Sequence, residues 1–310
     1  NIVGFVDLGE GKTEHISHPS AFVGTESELP RNEANTLYSQ VTALAGIRDI
    51  QSASSALQGQ EAIWNIVGGE DYDKIESARL LSSGEYSLNA SLGFITLRSA
   101  LNQDEVLCVA YEYTYGGEVY QVGEFSTDKI ESGTDKAATL VLKMLKPSTN
   151  APHAHNPSRE QQHYGSWDLM MKNFYSTGAS TMSSDKFELY IQYRDDSVGT
   201  SLQYLTQGPA SVRGKQLLKV MNLDRLDSKN NPYADGRFDY VEGYTALSST
   251  GRIMFPVLEP FGSHLANQLG NDPALVAKYC FQELYDSTLV AAQEMTEKNK
   301  FTMRSEERRV

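Results

Sequence analysis

The chain has 310 residues, a formal net charge of −13, 40% hydrophobic residues and 10% aromatic residues. This composition is sufficient for a buried core and excludes a disordered chain. The acidic balance argues against nucleic acid as a partner, because phosphate binding needs clustered Lys and Arg. The sequence contains no run of about 18 apolar residues, so we expect no transmembrane helix.

A helix is the first element that the chain predicts. Within residues 31–58, apolar side chains recur three or four positions apart at Leu37, Val41, Leu44 and Ile47. That spacing places them on one face of a helix. We therefore expect a helix near 31–46.

Strands are predicted next, over residues 93–124. The segment EVLCVAYEY (105–113) is apolar on both faces, so we expect a central strand of a mixed sheet. The pair Gly116-Gly117 supplies the positive φ angles of a tight hairpin turn. The segment AATLVLKMLK (137–146) continues the strand pattern.

The second half mixes strands and helices. In KFELYIQYR (186–194) the apolar residues alternate, which predicts a strand with Phe187, Leu189, Ile191 and Tyr193 on one face. WDLMMKNFYS (167–176) predicts a short helix, and GKQLLKVMNL (214–223) and GRIMFPVL (251–258) predict strands. A last helical region is predicted near 273–297, with Asp272 as the N-cap and Pro273 at the first helical position.

These elements predict an α+β architecture with a mixed, mainly antiparallel sheet and packed helices. We expect residues 1–303 to form one soluble unit in which 147–165, rich in Pro, Asn and His, is a flexible loop. Residues 304–310 are charged and aperiodic, so we interpret them as a tail and a candidate for an artificial extension. Cys108 and Cys280 lie in apolar runs and are expected to be buried free thiols.

The stretch DRLDSKNNPYADGRFDYVEG (224–243) carries the densest acidic chemistry. In an EF-hand loop the ligands occupy positions 1, 3, 5, 7, 9 and 12, with glycine at position 6. Placing Gly236 at position 6 gives a set of candidate calcium ligands: Asn231, Asp235, the Arg237 carbonyl, Asp239 and Glu242. Tyr233 breaks the pattern at position 3, and no predicted helix leads into the loop. The alternatives are an isolated calcium loop and a turn whose Asp and Asn side chains bind local backbone.

Other candidate sites match their patterns less well. His153, His155 and His163 could ligate a metal, but they lie in a Pro-rich loop and not on a firm frame. GEGKT (9–13) departs from the phosphate-loop pattern, which needs glycine where Val6 stands. Asp239 and Glu242 could act as a glycosidase pair, but only if they faced one cleft. No motif supports catalysis, so we do not expect an enzyme.

One internal similarity links two distant segments of the chain. GFVDLGEG (4–11) and GRFDYVEG (236–243) both fit the pattern G-x-[FV]-D-x-x-E-G. Each copy precedes a polar and then an apolar stretch. This favours a chain that spans one unit of a duplicated architecture.

Five strings of the sequence resemble the SprA/Sov family of Bacteroidetes, proteins of gliding motility and type IX secretion. They are ARLLSSGEYSLNASLGFITLRSALNQDEVLCVAYEYTYGGEVYQVGEFSTD (78–128), WDLMMKNFYS, LLKVMNLDRLDSKNNPYADGRFDYVEG (217–243), GRIMFPVLEPFGSHL (251–265) and KYCFQELYDSTLVAAQEMTEKNKF (278–301). The match covers most of residues 60–302. The first sixty residues and the His-rich loop are less typical of the family, and the terminal RSEERRV departs from its pattern.

The resemblance implies an outer-membrane translocon: a very large β-barrel with attached soluble domains, through which folded cargo leaves the cell. It implies partners of two kinds, a PorV-like outer-membrane protein and the exported cargo, and no catalytic residues. It also implies a location in the cell envelope and a repeated Asp-x-x-Glu-Gly motif. The alternatives are a secreted carbohydrate-active or carbohydrate-binding module, prompted by 17 tyrosines, and a calcium-dependent adhesion module.

Overall fold

The structure is a computed structural model that describes residues 1–10, 29–64, 66–128, 130, 137–152, 166–185 and 187–307. The chain divides into two compact units, Asn1–Met170 (unit 1) and Met171–Val310 (unit 2). This differs from the single unit predicted over 1–303. The physical reason is that each unit closes its own hydrophobic core, and neither core cluster draws residues from the other unit.

Unit 1 combines short helices with strands. Its helices are α1 (Leu37–Ala43), α2 (Ile50–Gln58), α3 (Glu61–Trp64) and α4 (Ser166–Leu169). Its strands are β1 (Ile2–Phe5), β2 (Tyr72–Ile75), β3 (Tyr86–Asn89), β4 (Phe94–Leu97), β5 (Leu107–Val109), β6 (Tyr111–Tyr115), β7 (Glu118–Val122) and β8 (Leu140–Lys146).

The main sheet of unit 1 has the order β2-β1-β8-β5. Strands β1 and β8 are parallel, and the other pairs are antiparallel. The core packs Val3, Phe5 and Val141 of this sheet with Leu37 and Val41 of α1. The predicted helix near 31–46 is thus confirmed in its type and its buried face, although it begins only at Leu37.

The prediction of a central strand over 105–113 is wrong. Strand β5 lies at the edge of the main sheet, and the chain then continues as β6 of a separate hairpin with β7. The central positions belong to β1 and β8, which pair across a long stretch of sequence. The hairpin itself is confirmed: Tyr115 pairs with Glu118, and Gly116 and Gly117 have φ angles of 63° and 90°.

Unit 2 contains three-stranded sheets and further short helices. Its helices are α5 (Leu217–Val220), α6 (Ser263–Gln268), α7 (Pro273–Tyr279), α8 (Glu283–Asp286) and α9 (Leu289–Glu294), with a 3₁₀ turn at Ser248–Thr250. Its strands are β9 (Phe174–Ser176), β10 (Phe187–Asp195), β11 (Thr200–Leu202), β12 (Ala246–Leu247), β13 (Arg252–Met254) and β14 (Phe301–Glu307). The sheet orders are β11-β10-β14 and β12-β13-β9.

The alternating strand of unit 2 is confirmed. Leu189, Ile191 and Tyr193 of β10 are all buried. Strand β14 pairs with β10 along its full length, from Tyr193↔Phe301 to Phe187↔Glu307. Residues 304–307 therefore belong to a sheet strand and not to a separate tail.

Two other predictions for unit 2 need correction. The segment 214–223 is not a strand, because Leu217, Leu218 and Val220 bury one side of the single helical turn α5. The region 273–297 forms three short helices, of which α7 begins as predicted: the Asp272 side chain accepts hydrogen bonds from the main-chain N–H groups of Ala274 and Leu275.

The α+β fold class with mainly antiparallel sheets is confirmed. Where the structure describes the chain, no helix has the length and hydropathy needed to span a bilayer. Cys108 and Cys280 are free thiols, as predicted. Cys280 is buried, whereas Cys108 is only partly so.

Candidate functional site

The acidic stretch folds as a corner between α5 and β12. We call its five carboxylate residues, Asp224, Asp227, Asp235, Asp239 and Glu242, the acidic corner. The chain turns sharply here, with left-handed φ angles of 62° at Asn230, 88° at Gly236 and 76° at Gly243. Asn and Gly adopt this region at low cost, which explains their presence between the carboxylates.

Two of these carboxylates hold the corner closed by reaching across it in opposite directions. The Asp224 carboxylate, only 2% exposed, accepts hydrogen bonds from the main-chain N–H groups of Asp235 (3.0 Å) and Gly236 (3.1 Å). The Asp239 carboxylate accepts hydrogen bonds from the N–H groups of Arg225 (2.6 Å) and Leu226 (3.1 Å). Each aspartate thus anchors the segment that carries the other, and the pair forms a reciprocal clasp.

Burial raises the pKa of both clasp residues. For Asp224, loss of hydration is the main cause, opposed by its two N–H donors and reinforced by repulsion from Asp239 and Asp235. Loss of hydration also raises the pKa of Asp239, and repulsion from Asp235 adds to it. The clasp therefore concentrates negative charge that the main-chain donors only partly stabilise.

The other three carboxylates bind local main chain. Asp227 accepts hydrogen bonds from the N–H groups of Lys229 and Asn231 and from the Asn231 amide, which lowers the Asp227 pKa. Asp235 accepts one from the N–H group of Arg237 at 3.0 Å. Glu242 accepts one from the N–H group of Ser248 at 3.1 Å. These contacts confirm the turn interpretation, in which Asp and Asn side chains replace missing backbone partners.

The candidate calcium ligands bind other groups of the chain in this arrangement. The Asn231 amide donates a hydrogen bond to the Asp227 carboxylate. The carboxylates of Asp235 and Asp239 accept hydrogen bonds from different main-chain N–H groups, and the Glu242 carboxylate accepts one from the N–H group of Ser248. Among the described residues, no group of three or more His, Cys, Asp or Glu side chains is arranged to hold a metal. The calcium loop stays a prediction. The glycosidase pair also stays a prediction, and its two residues, Asp239 and Glu242, accept hydrogen bonds from different main-chain groups.

The predicted histidine ligands His153, His155 and His163 lie outside the described residues. The N-terminal copy of the repeated motif is described up to Glu10. That copy adopts a different backbone, since Gly4 lies in β1 whereas Gly236 is a left-handed turn residue. Glu10 is buried and forms an ion pair with Lys143. Burial by itself would raise the pKa of Glu10, but the Lys143 charge and the N–H donors outweigh it and hold the pKa below its ordinary value.

Sequence reasoning missed a buried charge network in unit 1. Glu124, 3% exposed, accepts two hydrogen bonds from the Arg48 guanidinium and one from the Tyr38 hydroxyl, each 2.7 Å long. A fourth comes from the main-chain N–H of Val141, also at 2.7 Å. This network ties α1 and the loop after it to β8. No local sequence signal marks it, because the partners are far apart in sequence.

Unit 2 contains a second missed site around Asp195, which is 1% exposed. Its carboxylate accepts hydrogen bonds from the Ser197 hydroxyl and N–H and from the Thr206 hydroxyl at 2.9 Å, and Lys278 lies 3.8 Å away. These donors, the Ser197 hydroxyl first, lower the pKa of Asp195. The period of two along β10 could have revealed this site, since it places Asp195 on the same buried face as Tyr193.

A cavity of about 330 Å³ opens in unit 1, away from these groups. It is lined by Gln103, Lys146, Ser148, Thr149, Asn150 and Ala151. The Lys146 ammonium in its lining already donates hydrogen bonds to the main-chain carbonyl oxygens of Gln103 (2.9 Å) and Glu105 (2.5 Å). None of the candidate residues in the described part of the chain lines it.

No family model matches the sequence, and no curated protein is significantly similar to it. The family resemblance therefore depends on the five quoted strings alone.

Proposed function

We propose that this chain is a non-catalytic structural and interaction domain of a type IX protein secretion translocon of the SprA/Sov kind. In this role it supports the export of folded proteins across the outer membrane. Its partners are a PorV-like outer-membrane protein and exported cargo, and its location is the cell envelope. Such a role needs stable folded mass and exposed docking faces, and it does not need an activated nucleophile.

The observation that carries the proposal is the convergence of three resembling strings in one aromatic cluster of unit 2. Tyr175 comes from WDLMMKNFYS, Phe255 and Phe261 come from GRIMFPVLEPFGSHL, and Tyr285 comes from KYCFQELYDSTLVAAQEMTEKNKF. The ring centroid of Tyr175 lies 5.0 Å from that of Phe255 and 5.6 Å from that of Phe261. Three of the five strings that suggest the family thus pack against each other in unit 2.

A polar contact inside this cluster fixes its geometry. The buried Tyr285 hydroxyl accepts a hydrogen bond from the main-chain N–H of Phe261 at 3.0 Å and lies 2.9 Å from the Tyr175 hydroxyl. Burial raises the pKa of both tyrosines, so these hydroxyl groups stay protonated. The three strings therefore contribute to a single packed core in unit 2.

The acidic corner, which lies in the string at 217–243, supports a structural role in a different way. All five of its carboxylates accept hydrogen bonds from main-chain N–H groups. A carboxylate that holds a turn together is not poised to transfer a proton to a substrate. The corner therefore serves the stability of unit 2.

Affinity capture tests the proposal. The full chain is immobilised and exposed to detergent-solubilised envelopes of a type IX-secreting bacterium, and bound proteins are identified by mass spectrometry. We expect type IX components, including a PorV-like protein, to be recovered. Recovery of polysaccharide alone would overturn the proposal and favour the carbohydrate-binding alternative.

A further inference from the structure

The surface around the acidic corner carries more exposed cations than exposed carboxylates. Between residues 213 and 243 the sequence has six basic and five acidic residues, in a chain of net charge −13. The six basic residues are all exposed, and we call them the basic face: Arg213, Lys215, Lys219, Arg225, Lys229 and Arg237. None of the six takes part in the ion pairs found among the described residues.

The nearby carboxylates are turned away from solvent or committed to main chain. Of the five carboxylates of the acidic corner, Asp224 is buried, Asp227 and Asp239 are half-buried, and Asp235 and Glu242 are exposed. The Asp235 carboxylate accepts a hydrogen bond from the N–H group of Arg237. The clasp thus separates the charges, because it draws negative groups inward and leaves the positive ones outside.

The two parts of the basic face lie side by side. Leu223, just after α5, accepts a hydrogen bond from the N–H of Asp239 at 2.9 Å. A Cβ atom added to Gly236 would lie 3.3 Å from the Gln216 side chain, which brings Arg237 beside the turn that carries Lys215. Tyr204 bridges to Gln216 and is 42% exposed, and Tyr233 is 70% exposed, so aromatic surface accompanies the cations.

Unit 2 as a whole does not repel an anionic partner. It has 16 basic and 17 acidic residues, for a net charge of −1, whereas unit 1 has 11 basic and 23 acidic residues, for a net charge of −12. The basic face is therefore a local positive region on an almost neutral unit. Charge complementarity of this kind selects partners and accelerates their encounter.

We propose that the basic face docks an acidic polypeptide segment of a partner protein. Arg pairs bidentately with carboxylates, and exposed tyrosines are enriched where proteins bind one another. The combination of Arg213, Arg225 and Arg237 with Tyr233 fits a chain that carries both carboxylates and apolar side chains. The inference goes beyond the export role and depends on the charges of unit 2 alone.

The test is fluorescence anisotropy of the full chain with a fluorescein-labelled acidic peptide, GEYDEFEDG. The variant carries Lys215→Glu, Lys219→Glu and Arg237→Glu. The matched control carries Arg98→Glu, Arg252→Glu and Arg304→Glu, which change three other exposed cations by the same total charge. Far-UV circular dichroism checks that both remain folded.

We expect the variant to bind the peptide roughly 3- to 125-fold more weakly, since it loses three exposed ion pairs and each contributes roughly 1.4- to 5-fold. The matched control should bind within about twofold of the original chain, and added salt should weaken binding. Equal losses in both variants would overturn the proposal, as would no binding by the original chain. Tighter binding of polyphosphate or lipopolysaccharide would overturn the polypeptide assignment. Self-association lost only in the variant would assign the face to a second copy and overturn it too.

Discussion

Replacing Glu124 with Gln should destabilise unit 1 strongly. The carboxylate accepts four hydrogen bonds, two of them from Arg48. Removing one partner of a buried ion pair costs about 3–5 kcal/mol, because the remaining charge stays buried and unpaired. Arg48 keeps 19% of its side chain exposed, so we expect the lower end of that range, about 3 kcal/mol.

Urea unfolding followed by tryptophan fluorescence measures this cost. The chain has two tryptophans, Trp64 and Trp167, and both lie in unit 1. With a slope near 2 kcal/mol per molar urea, the midpoint of unit 1 should fall by roughly 1.5 M. The matched control is Glu118→Gln on the exposed hairpin, which should change the free energy of unfolding by less than about 0.5 kcal/mol.

A double replacement separates the ion pair from simple packing loss. Arg48→Met combined with Glu124→Leu removes both charges, so it should cost less than the sum of the single replacements. If Glu124→Gln left the unfolding midpoint within about 0.2 M of the original chain, the buried network would not stabilise unit 1 as argued.

Three further predictions concern pH, thiols and calcium. Burial raises the pKa of Asp224 above its ordinary 3.8. The stability that protonated Asp224 gives to the folded chain is therefore fully present below pH 3.8 and is lost as the pH rises through the folded pKa. Asp224→Asn should therefore cost more stability near pH 3.5 than near pH 7 in thermal unfolding, and an unchanged cost would contradict the burial argument. Burial raises the pKa of Cys108 to about 12 and that of Cys280 to about 11, so at pH 8 Ellman's reagent should react slowly with the folded chain and titrate both thiols after unfolding. A fast reaction of either thiol in the folded chain would contradict this. Millimolar calcium should leave Tm unchanged, and a rise of about 5 °C or more would favour the calcium loop instead.

The sequence predicted the elements that local chemistry determines. The alternation over Phe187–Tyr193 fixed a strand and its buried face, and Gly116-Gly117 fixed a two-residue turn through their positive φ angles. Asp272 was recognised as an N-cap because it precedes proline at the start of an apolar period. Each of these signals lies within ten residues of the element it specifies.

What the sequence did not predict depends on distant partners. The edge position of β5 follows from the parallel pairing of β1 with β8, which joins Ile2 to Leu140. The turn α5 looked like a strand because the segment 214–223 contains five apolar residues, yet their spacing suits one helical turn. The division into two units was not predicted either, because no local sequence motif marks the boundary at Met170.

The candidate site was predicted in part. The acidic turn and its local side-chain-to-backbone bonds were expected from the Asp, Asn and Gly residues. The reciprocal clasp of Asp224 and Asp239 was not, because it needs the geometry of two segments that approach each other only after folding. The exposed basic face follows from that clasp and could not be read from charge counts alone.

Export of a reporter protein that carries a C-terminal signal domain tests the central claim most directly. In the bacterium that encodes this chain, residues 171–307 are removed from the chromosomal gene, and a reporter that uses another secretion route serves as the control. The proposed role predicts that the signal-bearing reporter is retained in the cell while the control is secreted normally. Undiminished secretion of the signal-bearing reporter would contradict it.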